Sequence, residues 1–486
     1  MASISQNDIK RAVIDIGSNT VRLVVYGGNV RAPGVLHNEK VSARLGKGIS
    51  ETGRIGRKSA NLALASLARY RQLLTLMEVD QIDVVATAAT RDATNGPEFL
   101  NEVRALGLNP RQLSGEEEAL TSAKGIAWAF PGANGIVADL GGGSLELTEI
   151  SGHRCTHGVS LPIGSLRLQA MRAKGAANFH REVAKMLNRA DWTANPGATL
   201  FLVGGSLRAF ARHAIGRDKS LIDDPHGFTM TAGAVLKLAR SIVRKPPTDP
   251  TMLMGVSGAR AASLPDTAAL LSVLVEHLKP EKLVFSSWGL REGVLFENSD
   301  PDLRDVDPLI AGTTTFAAAR GVSLEQIESV VTWASGIAPT RSLASSSLHH
   351  AAVALCLASA RIEPHLRGAL ARDWALRKRW VGLNSDDRYL LAAAILANAN
   401  MTALMPQPLG ISSDLLHSAR TWGLTVRLCR RFSALAPRVI ALSSLKLDGG
   451  QLVLQASDEI AALIDENTRK DLKALAQHLG VGCSIV

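Results

Sequence analysis

A chain of 486 residues exceeds what one hydrophobic core organises, so two to four domains are expected. Hydrophobic residues make up 46% and charged residues 20%, which excludes extensive disorder. The formal net charge of +10 favours polyanionic partners, but with 4% aromatic residues and no zinc-finger or RNP-like spacing the chain lacks the stacking platforms of a nucleic-acid binder.

The opening "MASISQNDIKRAVIDIG" has no apolar run ahead of a cleavage site, and no window approaches the ~20 uncharged apolar residues of a membrane helix. A cytoplasmic protein with no membrane partner is expected. Cys155, Cys356, Cys429 and Cys483 lie far apart without a CxxC pair, so neither a disulfide framework nor a zinc site is indicated. From about residue 10 to 300, short β-branched runs alternate with longer helical ones. "VVYGG", "QIDVVATAAT" (81–90), "GIVADL" and "ATLFLVGG" (198–205) read as strands; "SANLALASLARYRQLLTLM" (59–77) and "MTAGAVLKLARSIVRK" (230–245) read as helices. This is an α/β pattern. After "LFENSDPDLRDVDP" (295–308) helical runs dominate, which places a boundary near 305. The final "VIALSSLKLDGGQLVLQASDEIAALI" (439–464) returns to alternation around Asp-Gly-Gly, a hairpin signal followed by a helix.

One internal repeat stands out. Laying Asp15 on Asp139 aligns "VIDIGSNTVRLVV" with "VADLGGGSLELTE", so that Gly17 meets Gly141 and Thr20 meets Ser144. A strand ending in Asp, then Gly and small hydroxyl residues, makes a hairpin tip of nearly bare backbone whose amides can approach phosphate oxygens closely. The neighbouring aspartate suits a hard cation such as Mg²⁺. Either stretch alone fits a plain tight hairpin; the pair fits a clamp on a phosphate chain. Three further segments add to this. "LSGEEEALTSAKGIAWAF" (113–130) starts a helix with three acids, which suits the helix dipole as well as a carboxylate aimed into a cleft. "VATAATRDATNG" (85–96) ends a strand with hydroxyls and Arg91, a phosphate-gripping cation or a solvated one. "LFLVGGSLRAFARHA" (200–214) offers Gly205 and Ser206 at a helix N-terminus, open to an anion or to tight packing.

Together "DIGSNTVRL", "ATAATRDATNG", "SGEEEAL", "DLGGGSLEL", "LPIGSLRL", "VGGSLRA" and "WGLREGVL" resemble the exopolyphosphatase and guanosine pentaphosphate phosphohydrolase family, within the superfamily of actin, sugar kinases and heat-shock ATPases. The resemblance spans about residues 10–300. It implies two actin-like (ribonuclease-H-like) domains, 1–128 and 129–305, around a central cleft, then an all-α His-Asp-like domain, 306–437, and a small α+β unit, 438–486. It implies inorganic polyphosphate or guanosine pentaphosphate as substrate, Mg²⁺ or another divalent cation as cofactor, and a homodimer. In its terms Glu118 is the base that activates water, with Glu117 as the alternative. Asp139 and Glu146 hold the metal with Asp15 nearby. Ser18, Asn19, Thr20, Gly141, Gly142, Gly143, Ser144, Gly205, Ser206 and Arg91 bind phosphate.

The chain departs from the family in two places: Leu145 follows the second tip where Thr is frequent, and an acidic residue is replaced in "ARAASL" (259–264). In the helical part, Ala397 and Asn398 stand where a His-Asp pair would be, so that domain is expected to be catalytically silent. Terminal phosphate release from polyphosphate leads the functional readings, ahead of the pentaphosphate reaction, a kinase and a non-catalytic polyanion-binding regulator.

Overall fold

Alternating β-branched residues build β1 (Arg11–Ile16) and β2 (Val21–Gly27), joined into an antiparallel hairpin and followed by β3 (Gly34–Val41), β4 (Gln81–Ala86) and β5 (Pro110–Gln112). Their order is β3-β2-β1-β4-β5, with β4 parallel to β1. The pattern then repeats. β6 (Asn134–Leu140), β7 (Leu145–Ser151), β8 (Arg154–Leu161), β9 (Thr199–Val203), β10 (Thr229–Thr231) and β11 (Lys282–Phe285) form a sheet ordered β10-β11-β9-β6-β7-β8. Apart from the added β10, each sheet has an antiparallel hairpin beside parallel strands fed by helical crossovers. The computed structural model describes residues 10–190, 196–218, 220–247, 255–337, 343–401 and 411–486.

The central strands are buried on both faces, as parallel strands between helices must be. Ala12, Ile14, Leu23 and Val25 pack with Leu67, Tyr70 and Phe99 from the helices Arg57–Leu76 and Gly96–Ala105. Ala138, Leu147, Leu200 and Phe285 pack with Val183, Phe210, Val235 and Leu271 from four helices of the second half. The helix Gly115–Ala129 covers the other face of that sheet through Ala123 and Ile126. It also lies along the helix Leu290–Glu297. Arg31 is buried nearby, its guanidinium 5.6 Å from the Trp128 ring centroid and donating to the carbonyls of Trp128 (2.7 Å) and Val306 (2.6 Å).

The 81–90 run is only half strand. β4 stops at Ala86, paired with Ile16, because β1 turns away there and offers nothing further to pair with. The alanines beyond it enter a short helix, Ala88–Asp92, instead. β3, β5, β8, β11 and the last strand, β14, were not read from sequence, and β10 takes the first two residues of the 230–245 run read as helix, which begins at Ala232 instead.

The chain divides into two compact units, Met1–Val306 and Asp307–Val486. The second holds the helices Pro308–Ala318, Leu324–Ala334, Leu343–Ser359, Pro364–Arg377, Ser385–Asn398 and Ser413–Ser433. A small sheet follows, built from β12 (Ser443–Asp448), β13 (Gln451–Ala456) and β14 (Gly482–Ile485), with the helix Glu466–Leu479. Gly449 and Gly450 close the β12–β13 hairpin at φ 56° and 77°, the left-handed pair that a two-residue turn demands. Asn398 is fully buried and its amide donates to Cys356 O and Ser359 Oγ, both 3.3 Å away, so its contacts are structural. His349 is buried against Trp422, which together with His350 lowers its pKa to about 4 by desolvation and like charge. No described helix is long and apolar enough to cross a membrane.

Candidate active site

The two aligned stretches fold alike. Gly17 N–H donates to Thr20 O at 3.0 Å, and Gly141 N–H donates to Ser144 O at 3.0 Å, so each hairpin closes over the same four-residue tip. The tips meet. A Cβ built on Gly142 would stand 3.0 Å from Asn19 N and 3.2 Å from Ser18 Cβ; one on Gly143 would stand 2.8 Å from Ser18 Oγ. Neighbouring loops fix both tips through their carbonyls. Gly46 N–H holds Ser18 O (2.8 Å) and Arg44 N–H holds Asn19 O (3.0 Å), while the amides of Gly164, Ser165 and Leu166 hold the carbonyls of Gly143, Gly141 and Gly142 at 3.0–3.2 Å. Among the described residues the amides of Ser18, Asn19, Gly142 and Gly143 donate no hydrogen bond. Facing concavities of unpaired amides bind anions.

Four carboxyls gather around the tips. Asp15 and Asp139 end the first strand of each hairpin, and Glu146 lies opposite Asp139 in the β6–β7 register. Asp139 accepts from Ser122 Oγ, and Glu146 accepts from Ser160 Oγ at 2.9 Å. Glu118 is buried in the first turn of Gly115–Ala129 and accepts from Arg91 Nη1 at 3.0 Å. Burial is the main force raising every one of these acids, and repulsion from neighbouring acids, Glu292 in the case of Asp15, adds to it. Glu118 rises to about 7, with Arg91 opposing and Asp139 and Asp15 assisting. Glu146 rises well above the carboxylate range through burial and then Glu118 and Asp139. Asp15 and Asp139 also rise. Burial likewise disfavours charge on Arg291, but Glu292, Tyr26, Asp15 and Asp139 outweigh it and hold the guanidinium charged beside the aspartates.

The two tandem glutamates separate cleanly. Glu117 is exposed and closes a capping box: its Oε2 accepts from Ser114 N–H (2.7 Å) while Ser114 Oγ accepts from Glu117 N–H (3.1 Å). It has no place in the carboxyl cluster. Arg91 is not free to grip phosphate alone, since Nη1 also donates to Leu113 O at 3.0 Å and Nε lies 3.7 Å from Asp92. Its contacts position Glu118. Gly205 and Ser206 begin the helix Gly205–Arg217, but a Cβ on Gly205 would stand 2.3 Å from Arg260 Nη2, so a guanidinium covers that end. Arg260 belongs to a cationic group that sequence reasoning did not assemble. Burial lowers the pKa of Lys40, and Arg260, Arg22 and Arg208 lower it further. Ser122, Ser160, Gly164, Arg291 and this basic group were all missed, although all but Ser160 and Lys40 sit inside segments the sequence reading singled out.

Among the described residues no three His, Cys, Asp or Glu side chains form a liganding group. Asp15, Asp139 and Glu146 are therefore not a ready-made cage. Their donors are all hard oxygens under electrostatic stress, and the bare glycine tips leave room beside them. That chemistry fits Mg²⁺, which binds through one or two carboxylates and completes its shell with water and phosphate oxygens.

The sign of the titration gives a test. Acids whose folded pKa values are raised stabilise the fold while protonated, and that contribution is lost as pH rises from the ordinary carboxylate range, near 4, through the raised values, near 7 for Glu118. With chelator present, Tm is expected to fall between pH 5 and pH 8, and added Mg²⁺ is expected to restore it more at pH 8. A Mg²⁺ response independent of pH would contradict this arrangement.

Gly164 supplies another. A Cβ there would lie 2.2 Å from Gly143 C and 2.3 Å from Gly142 O, inside the second tip. Gly164→Ala is expected to lower kcat/KM for phosphate release by about tenfold or more, by displacing the tip, with far-UV circular dichroism unchanged. Wild-type kinetics would show that the loop does not set the tip.

Two equivalent sheets whose hairpin tips face each other define a fold of the mixed α/β, actin-like class. The chain belongs to the Ppx/GppA phosphatase family, whose sequence model matches residues 24–301, and family members are phosphoanhydride hydrolases. It is 28% identical over 334 residues to Exopolyphosphatase 1 of Mycobacterium tuberculosis, covering 65% of this chain and 95% of that protein. It is 28% identical over 311 residues to the guanosine-5'-triphosphate,3'-diphosphate pyrophosphatase of Aeromonas hydrophila, covering 60% of this chain and 61% of that one. The crystal structure of the Aquifex aeolicus family member is similar at a TM-score of 0.52 and 27% identity, over 60% of this chain and 97% of that one.

Proposed function

We propose that this chain is an exopolyphosphatase, releasing orthophosphate from the end of inorganic polyphosphate. The observation that carries the reading is the pair of facing tips with unpartnered amides, set beside a buried Glu118 held by Arg91. The amides of Ser18, Asn19, Gly142 and Gly143 bind the terminal phosphoryl oxygens, where they stabilise charge that builds in the transition state. Glu118 orients a water and takes its proton as the water attacks phosphorus in line with the leaving phosphate. Burial makes the Glu118 carboxylate a stronger base than an exposed one, and Arg91 keeps it directed. Asp139 and Glu146, with Asp15 nearby, are the residues that would hold Mg²⁺. When bound, that ion neutralises phosphoryl charge and relieves repulsion among the acids.

The basic group of Arg22 and Lys40, on the first sheet, with Arg208 and Arg260, on two helices of the second half, suits the phosphates that follow the terminal one. It serves a polyphosphate chain or the phosphates of guanosine pentaphosphate. The relative from Aeromonas hydrophila keeps the second substrate in view. Phosphate release measured side by side on the two decides: a higher kcat/KM on polyphosphate is expected, and release from the pentaphosphate alone would overturn the proposal. The helical unit takes no part in this chemistry, and the enzyme works in the cytoplasm as a homodimer.

A further inference from the structure

We propose that the helical unit contains a second oxyanion site, at Arg430, which takes a compact phosphate-class dianion. Four guanidiniums come together there. Arg367 donates to the carbonyls of Ser359, Ala360 and Ile362 at 3.1–3.2 Å. Arg427 donates to Asp471 Oδ1 at 2.9 Å and to Asn398 O at 3.4 Å, and Arg431 Nη1 donates to both Asp471 oxygens at 2.8–3.0 Å. Each of these three is satisfied, and Asp471 is fully used.

Arg430 is the exception. Its Nε is buried without a partner, and among the described residues it donates no hydrogen bond and joins no ion pair. The largest charged influences on it are Arg367, Arg427 and Arg431, all positive, alongside the Cys356 thiol. Burial and these neighbours pull its pKa below the usual guanidinium value. The stretches 338–345 and 402–410 contain no Asp or Glu, so no carboxylate there answers the charge either. A half-buried, unpaired cation among like charges is a standing cost. An anion removes it, and a guanidinium fork matches the edge of a tetrahedral oxyanion. Four guanidiniums against one carboxylate call for a dianion before a monocarboxylate. The occupant is orthophosphate, or the end of a longer phosphate chain that presents the same group.

The test uses the full chain in phosphate-free buffer. Arg430→Met keeps the length and removes the charge, so without phosphate its Tm is expected to equal or exceed that of wild type. Tungstate soaked into crystals is expected to give an anomalous peak within hydrogen-bonding distance of the Arg430 guanidinium, absent in Arg430→Met. Orthophosphate titrated by calorimetry is expected to show two binding events in wild type and one in Arg430→Met. Arg430→Lys, which keeps the charge and loses the fork, is expected to weaken the second event roughly tenfold or more. A tungstate peak at the hairpin tips alone, or an Arg430→Met titration identical to wild type, would overturn the site. A response to long polyphosphate with none to orthophosphate would overturn its assignment to a compact dianion.

Discussion

Glu118→Gln is expected to reduce phosphate release from polyphosphate by about 10²–10⁴-fold, the range that loss of a positioned general base produces, while substrate binding survives. The amide keeps the volume of the carboxyl and can still accept from Arg91, which now stands 3.0 Å from Glu118 Oε2, so the cleft is left in shape. What it cannot do is take a proton from water. Binding is expected to persist because it comes from the tip amides and the basic group, none of which depends on the Glu118 charge. Glu117→Gln is the matched control: glutamine can close the same capping box, as Gln326 does with Ser323, so turnover is expected to stay near wild type. Single-turnover phosphate release with a parallel binding titration checks both. Undiminished release by Glu118→Gln would remove the base from the mechanism.

The contrast between these neighbours also shows what the sequence carried. The tips were legible because a hairpin is local: its glycines, hydroxyls and closing hydrogen bond all lie within six residues, and two copies of the same pattern point to the same geometry. The different placements of Glu117 and Glu118 were legible too, although they were not drawn from the residues. Ser114 followed three positions later by Glu117 is the signature of a capping box, which assigns Glu117 to its own helix end and leaves Glu118, one residue further round, to face the acids. The basic group was not legible. Arg22, Lys40, Arg208 and Arg260 come from β2, β3 and two separate helices, and only the pairing of strands and the seating of the Gly205–Arg217 helix bring them together. Arg430 repeats the lesson, since nothing in the run 427–431 tells its three arginines apart until Asp471 is seen to satisfy Arg427 and Arg431 and to leave the arginine between them unanswered. The end of β4 failed for a related reason: "ATAAT" suits strand or helix, and the absence of a pairing partner beyond Ile16 decides it.

Gly293→Ala is expected to destabilise the first unit by more than about 4 kcal/mol, beyond the roughly 1–3 kcal/mol of ordinary overpacking. A Cβ on Gly293 would lie 1.7 Å from Thr121 O and 2.7 Å from Thr121 C, both backbone atoms that cannot rotate aside. The crossing is tight from the other side as well, where a Cβ on Gly125 would lie 2.1 Å from Gly289 O. The helices Gly115–Ala129 and Leu290–Glu297 thus touch backbone to backbone, and relief requires them to part. That movement reaches the chemistry, because Thr121 is one turn from Glu118, while Gly289 sits beside Asp139, 3.5 Å from its Oδ2 to a built Cβ. Survivors of Gly293→Ala are therefore expected to lose turnover along with Tm. Gly233→Ala provides the comparison: no atom lies within 4 Å of its built Cβ, and alanine in that helix is expected to change stability by less than about 1 kcal/mol, in the favourable direction. Thermal unfolding of the two variants checks the pair, and a Gly293→Ala protein as stable as wild type would show that the helix carrying Glu118 is not locked by this crossing.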